Sequence, residues 1–383
     1  MSDILNKEPA QGPRTHALVI GVSHYRHFEG GAAPTQQGKA WGMEQLSAAA
    51  ASAGRVAKWL EEEYNNPDAK LQTLRVLLSP SPDDAVPPSI AGRAQPATRA
   101  NVQAALLAFK NDCEASRDHV AFVYVAGHGV QLTKHDALVL LEDMGSPAHL
   151  NPLEGAIDMV SCHRGLDHKQ AAANQCWFID ACRQRPEIAE EFENMNVGAL
   201  GLAERPGRTV SSPLFFAAST REAAFARPGK QTLFCEALIA SLSSEAAVGP
   251  EKNFCASWHV STFSLNAKLI ALVAEAAENE EEEQTVDPGG RMAAAVIHRF
   301  DQPPTVHVEI GLLPKPARAT TTAALRLPGQ PPVAGLAAGW PLKTDLAAGL
   351  YLLTLTTKPP FKDREQEISL RPPSFIEELE VES

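Results

Sequence analysis

The sequence is short of basic residues and of any patterned use of cysteine. Lys and Arg number 34 against 46 Asp and Glu, so the formal net charge is −12. A deficit of that size argues against nucleic acid or an anionic membrane as the main partner. Six cysteines stand at positions 113, 162, 176, 182, 235 and 255, and no two form a Cys-x-x-Cys pair. Zinc-type spacing is therefore absent, and a disulfide framework is not expected at this chain length. No run approaches the ~18 apolar residues that a membrane-spanning helix needs. Residues 1–13 are polar, read as a disordered tail, and hold no apolar core of a secretory signal. No internal repeat is visible. These absences leave a reduced, cytoplasmic protein as the expectation.

Apolar residues, by contrast, make up 44% of the 383 positions, enough for one large domain or two. Through residue 245, short apolar runs alternate with helical patterns. Residues 16–22, 71–78, 120–126, 176–181 and 213–219 read as buried strands. Leu46, Ala50, Ala53, Ala57 and Leu60 recur at helical spacing, which predicts a helix over 44–63. Thr98 is a candidate N-cap for a helix faced by Val102, Leu106 and Phe109. Further helices are predicted over 164–174 and after Gly229, and a short extra strand over 137–143. Residues 79–97 carry five prolines and read as a surface loop. Strands alternating with helices imply an α/β fold: a parallel sheet with helices on both faces.

Beyond residue 246 the texture changes. Residues 258–275 look helical and run into Glu280 to Glu283, then Asp287-Pro288-Gly289-Gly290, a solvated segment by composition. After Pro303, Val306, Val308, Ile310 and Leu312 alternate, as do Tyr351, Leu353 and Leu355, so a small all-β, sandwich-like domain is expected. The expected organisation is a tail over 1–13, an α/β domain over 14–246, a helical and acidic connector over 247–303, and a β domain over 304–383.

Two strand ends carry the chemistry. One buried run ends in Gly127-His128-Gly129, and another ends in Asp180-Ala181-Cys182. Ligands of open α/β sheets bind beyond the carboxyl ends of the strands. His128 lies 54 positions before Cys182 (182 minus 128), room for a crossover and a return to a parallel strand. A His and a Cys at one sheet edge can form a base–nucleophile pair, the imidazole taking the thiol proton and the thiolate attacking a carbonyl. His24, just past the first strand, should lie at the same edge. It is a competing base and a candidate on the substrate side of the site. Cys176 lies inside its strand and reads as core packing. Period two places Asp180 on the same face as Cys182.

This ordered pair of motifs resembles the caspase-like cysteine peptidases, which include caspases, metacaspases and bacterial relatives. The caspase signature is Gln-Ala-Cys-Arg-Gly with its His about 50 residues upstream. Here the stretch is Asp180-Ala181-Cys182-Arg183-Gln184, with Asp in first place as in metacaspases. The resemblance covers roughly residues 14 to 245. It implies a Cys182–His128 dyad, an oxyanion hole made by the backbone N–H groups of Gly129 and Cys182, and a substrate-binding role for Asp180. It calls for no metal or other cofactor. It also places an inter-subunit linker over 183–212.

The implied function is a cysteine endopeptidase acting on protein substrates, of the kind found in bacterial defence or programmed cell-death systems. Asp180 would favour Arg before the cut. Metacaspases tend to carry an Asn-Asp pair in the first helix, and the comparable residues 46–53 hold no carboxylate, which favours a small or neutral residue instead. The alternative from another class is an inactive adaptor that binds a partner protein through the C-terminal β domain. A third reading is transpeptidation by the same thiol.

Overall fold

The computed structural model describes residues 3–7, 11–133, 136–183, 198–219, 229–333 and 339–382. Residues 184–197 of the expected 183–212 linker lie outside them. In chain order the strands are β1 Asp3–Asn6, β2 Arg14–Val22, β3 Lys70–Ser79, β4 Val120–Gly127, β5 Gly129–Val130, β6 Leu138–Leu140, β7 Ala156–Asp158, β8 Asn174–Ala181, β9 Ser212–Phe216, β10 His259–Ser261, β11 Asp287–Arg291, β12 Val296–Arg299, β13 Thr305–Leu313, β14 Thr322–Arg326, β15 Leu342–Ala347, β16 Gly349–Thr356, β17 Arg364–Leu370 and β18 Ser374–Glu380. The α-helices are α1 Gln36–Lys39, α2 Ala49–Glu62, α3 Pro88–Ala91, α4 Arg99–Ala115, α5 Met159–Leu166, α6 Leu233–Ala240 and α7 Thr262–Asn279. These elements fall into two compact units, Met1–Ile239 with Leu265–Ala295, and Ala240–Ser264 with Val296–Ser383.

The first unit is built on a seven-stranded sheet of order β1-β3-β2-β4-β8-β9-β11. The five inner strands run parallel, and β1 and β11 close the two edges antiparallel. The central stretches of the inner strands are largely apolar because both faces are covered. On one face Phe122, Phe178 and Phe215 line up with Trp59 of α2, the last two rings stacked at 5.3 Å between centroids. On the other, Val123, Val125, Trp177 and Ile179 share a core with Val102, Leu106 and Phe109 of α4 and with Cys162 and Leu166 of α5. The sheet with helices on both faces is therefore as expected.

Several boundaries differ from the sequence expectation. The helix predicted over 44–63 begins at Ala49, because residues 44–46 serve other partners: Leu46 N–H donates to the Ser23 carbonyl at 2.8 Å. Its first-turn N–H groups are capped from elsewhere, Ala50 by Ser23 Oγ at 2.9 Å and Ala51 by Asp84 at 3.2 Å. The helix expected over 164–174 lies earlier, as α5, because Asp158 caps it by accepting from Ser161 N–H at 3.0 Å. Thr98 caps α4 as expected. The extra strand near residue 138 exists, but it joins a separate three-stranded sheet, β5-β6-β7. Asp287-Pro288-Gly289-Gly290 forms most of β11 rather than a loop. Proline is tolerated there because β11 is an edge strand.

The second unit holds two three-stranded sheets, β15-β13-β18 and β14-β16-β17, and the β10-β12 pair. Val306, Val308, Ile310 and Leu312 of β13 share one core with Leu353 and Leu355 of β16 and Ile368 and Leu370 of β17. Residues 247–303 divide between the two units. Trp258 packs against the β13–β16 core, and α7 starts at Thr262 rather than at 258. Among the described residues no helix is long and apolar enough to cross a membrane.

Candidate active site

The parallel pairing of β4 with β8 fixes the site. Its last rung joins Gly127 to Ala181, so the next residue on each strand is His128 on one side and Cys182 on the other. The two predicted groups thus leave neighbouring parallel strands at the same level and at the carboxyl edge. Both are half-buried. Gly129 follows His128 and turns into β5. A Cβ at that position would lie 1.9 Å from the Cys182 carbonyl oxygen, so only glycine lets the two segments approach this closely. Leu140 N–H donates to the His128 carbonyl at 2.9 Å. Bonded and open rungs alternate in an antiparallel ladder, so the Gly129–Val139 pair is an open rung and the Gly129 N–H turns away from β6.

The tautomer of His128 follows from its partner. Nε2 lies 2.7 Å from the Glu44 carbonyl oxygen, which can only accept, so Nε2 carries the proton and Nδ1 keeps a lone pair. Burial holds the imidazole below its ordinary pKa, with the Glu44 carbonyl opposing that shift. A neutral ring with a free Nδ1 can take a proton from a thiol. Among the described residues a backbone carbonyl, and no carboxylate, orients this ring. No sequence signal marks it, since every residue carries a carbonyl.

Tyr25 is the second partner of His128. Its hydroxyl accepts from the His128 N–H at 2.7 Å and donates to the Val22 carbonyl at 3.2 Å. Its ring lies 5.0 Å from the imidazole and stacks on Phe28 at 4.8 Å. Burial drives the phenol far above its ordinary pKa, and the nearby Cys182 adds to this. Tyr25 follows His24, which the sequence places at this edge, and nothing in the sequence signals its bonding.

His24 lies two residues past β2, half-buried, with its N–H given to the Ser79 carbonyl at 2.9 Å. Asp180 is only 3% exposed. Its Oδ2 accepts from the hydroxyls of Tyr124 and Thr232. Its Oδ1 is buried with no hydrogen-bond partner among the described residues. Burial pushes the Asp180 carboxyl up to about 6, and the two hydroxyls oppose the shift. Thr232 also ties back to α2, its N–H donating to Ser52 Oγ at 3.0 Å. Arg183, next to the thiol, pairs with Asp287 of β11 and lies over the Phe216 ring, 4.4 Å from its centroid. Cys176 is buried, as core packing requires, and all six cysteines are free thiols. No group of His, Cys, Asp and Glu that could hold a metal occurs among the described residues.

Among solved structures, caspase-1 from Spodoptera frugiperda is similar at 11% identity, with a TM-score of 0.45 over 76% of this chain and 91% of that one. Curated proteins give no match. The model of the Caspase domain matches residues 14–258, more than half of the chain. Taken with the parallel sheet that carries His128 and Cys182, this match makes the protein a member of the caspase-domain family of cysteine peptidases.

Proposed function

We propose that the protein is a cysteine endopeptidase in which His128 and Cys182 are the catalytic pair. The observation that carries this reading is the Gly127–Ala181 rung, which brings the two residues out side by side. His128 Nδ1 takes the Cys182 proton, and the thiolate adds to the scissile carbonyl. The C–N bond breaks as the imidazolium returns the proton to the leaving amine. Water, deprotonated by His128, then releases the acyl group and restores the thiol. The developing oxyanion is assigned to the N–H groups of Gly129 and Cys182. The open rung at Gly129 supports that assignment. His24 is assigned to the substrate side of the edge.

Two readings of the residue before the cut rest on different atoms of Asp180. The unpartnered Oδ1 favours a pocket that takes Arg, whose guanidinium would satisfy it. The Oδ2 bonds to Tyr124 and Thr232 favour a structural carboxylate and a neutral substrate residue. We assign the C-terminal β unit to contact with a partner protein, and the setting to bacterial defence or programmed death in a reducing cytoplasm; the free thiols are in keeping with the latter.

The deciding experiment is a peptide-library cleavage profile of the wild type beside Cys182→Ala and His128→Ala. Cleavage by the wild type alone is expected. A wild type that cuts nothing while binding proteins through its β unit would establish the adaptor reading, and ligated products would establish transpeptidation.

A further inference from the structure

The geometry points to Tyr25 as a positioning residue for His128, its hydroxyl standing in for a missing rung between β2 and β4. This rests on the assignment of His128 as the base.

The last β2–β4 rung joins Gly21 to Ala126. In a parallel ladder alternate residues of a strand bond to opposite neighbours. The Ser23 N–H goes to the Ser79 carbonyl of β3, so the carbonyl of Val22 faces β4. One further rung would send the His128 N–H straight to the Val22 carbonyl. Instead the Tyr25 hydroxyl stands between them, taking the proton of His128 N–H and passing its own to Val22. The bonding is complete, yet the two strands are separated by an extra oxygen. That separation is where the His128 ring leaves the sheet. Gly127 has no room to spare beside it, since a Cβ there would sit 3.0 Å from the Tyr25 hydroxyl.

The same tyrosine also governs the far side of the ring. The Gln45 side chain clamps its backbone, accepting from Tyr25 N–H at 2.7 Å and donating to the Tyr25 carbonyl at 3.0 Å. Gln45 adjoins Glu44, whose carbonyl holds Nε2. Main chain and ring of His128 are therefore held from one short frame, Tyr25 with Glu44 and Gln45. Phe28 stacks behind the phenol and fixes its plane. A phenylalanine would keep the stack and lose the link, so the hydroxyl itself is the working part.

The test is Tyr25→Phe, with Tyr64→Phe as control. The Tyr64 hydroxyl is also bonded, to Thr15 at 2.8 Å at the amino end of β2, away from the site. Two readouts need no substrate. The first is the ring 15N shifts of His128 in a Cys182→Ala background, assigned against His128→Gln. The second is the pH profile of Cys182 alkylation by iodoacetamide. Tyr25→Phe should turn one Nε2–H tautomer into a mixture and slow alkylation at neutral pH about tenfold or more. On any peptide that is cut, kcat should fall with KM within about twofold. Tyr64→Phe should change none of these. A Tyr25→Phe protein that matches Tyr64→Phe in tautomer and alkylation would overturn the proposal. A parent protein with ordinary thiol reactivity and no cleavage would instead remove the peptidase reading, and the tautomer measurement would still decide the role of Tyr25.

Discussion

Gly129 and Cys182 touch main chain to main chain: a Cβ on the glycine would meet the Cys182 carbonyl oxygen at 1.9 Å and the Ala181 Cβ at 2.9 Å. Neither obstacle is the end of a flexible side chain, so the backbone itself would have to move. Gly129→Ala should therefore cost about 1–3 kcal/mol of stability. Its effect on turnover should be larger, about a hundredfold, because a shift of about 1 Å at the nucleophile is enough. Denaturant melts and kcat/KM on the same preparation would check both. An active Gly129→Ala protein would separate this glycine from the chemistry.

The acid limb of activity should lie low. Burial keeps the His128 imidazole below its ordinary value of about 6.5, so the neutral form persists into mildly acidic solution. Activity should rise with a midpoint below that value in a plot of kcat/KM against pH, the midpoint belonging to the Cys182–His128 pair as a whole. A midpoint above 7 would contradict a buried neutral base.

Asp180 makes a prediction about stability. Its folded pKa, about 6, is raised above the ordinary carboxyl value of 3.8. The folded state then holds the proton more tightly than the unfolded state. Ionisation weakens the fold as pH climbs from about 4 to about 6, and the penalty stays constant above that. Relative to Asp180→Asn, the wild type should lose on the order of 3 kcal/mol across that window. Urea unfolding at pH 4, 5, 6 and 8 would show it, and a flat difference would rule it out.

The same titration separates the two readings of specificity. If Asp180 binds Arg as a carboxylate, cleavage after Arg should fall below about pH 6 relative to cleavage after neutral residues, which follows the His128 limb alone. Asp180→Asn should reduce cleavage after Arg at pH 8. A profile dominated by Leu or Ala at every pH would leave Asp180 a structural role.

Asp287→Asn should loosen Arg183, the residue next to Cys182. Arg183 has an 11% exposed side chain and rests on Phe216, whereas Asp287 is 44% exposed. Breaking a fully buried pair costs about 3–5 kcal/mol. The half-open partner reduces this to about 1–2 kcal/mol once solvent screening is counted. The expected result is a modest fall in melting temperature and a larger fall in kcat. Unchanged kcat would show that the pair acts on stability alone.

The sheet and the strand ends at His128 and Cys182 were legible because β4 and β8 carry the apolar runs 120–126 and 176–179, a pattern that burial on both faces produces. The position of Cys182 followed from the Asp-Ala-Cys ending of such a run. What was not legible falls into two kinds. Pro288, Gly289 and Gly290 look like a loop in any local window, and only the pairing with β9 makes them a strand. The Glu44 carbonyl is a backbone group, which no residue type announces. Tyr25 lies between these cases: its place at the edge could be read, but its hydroxyl bond depends on a tertiary approach. The start of α5 is set by Asp158, whose side chain accepts from Ser161 N–H, a cap that the spacing of apolar residues alone does not reveal.

The Arg183–Asp287 pair joins positions 104 apart in the chain. Synthesis runs from the amino end, and domains gather as their segments emerge. His128 and Cys182 are made long before β11, the strand that carries Asp287. A nascent chain thus holds Cys182 while Arg183 beside it still lacks its anchor. That edge of the sheet is therefore complete only once β11 has been made.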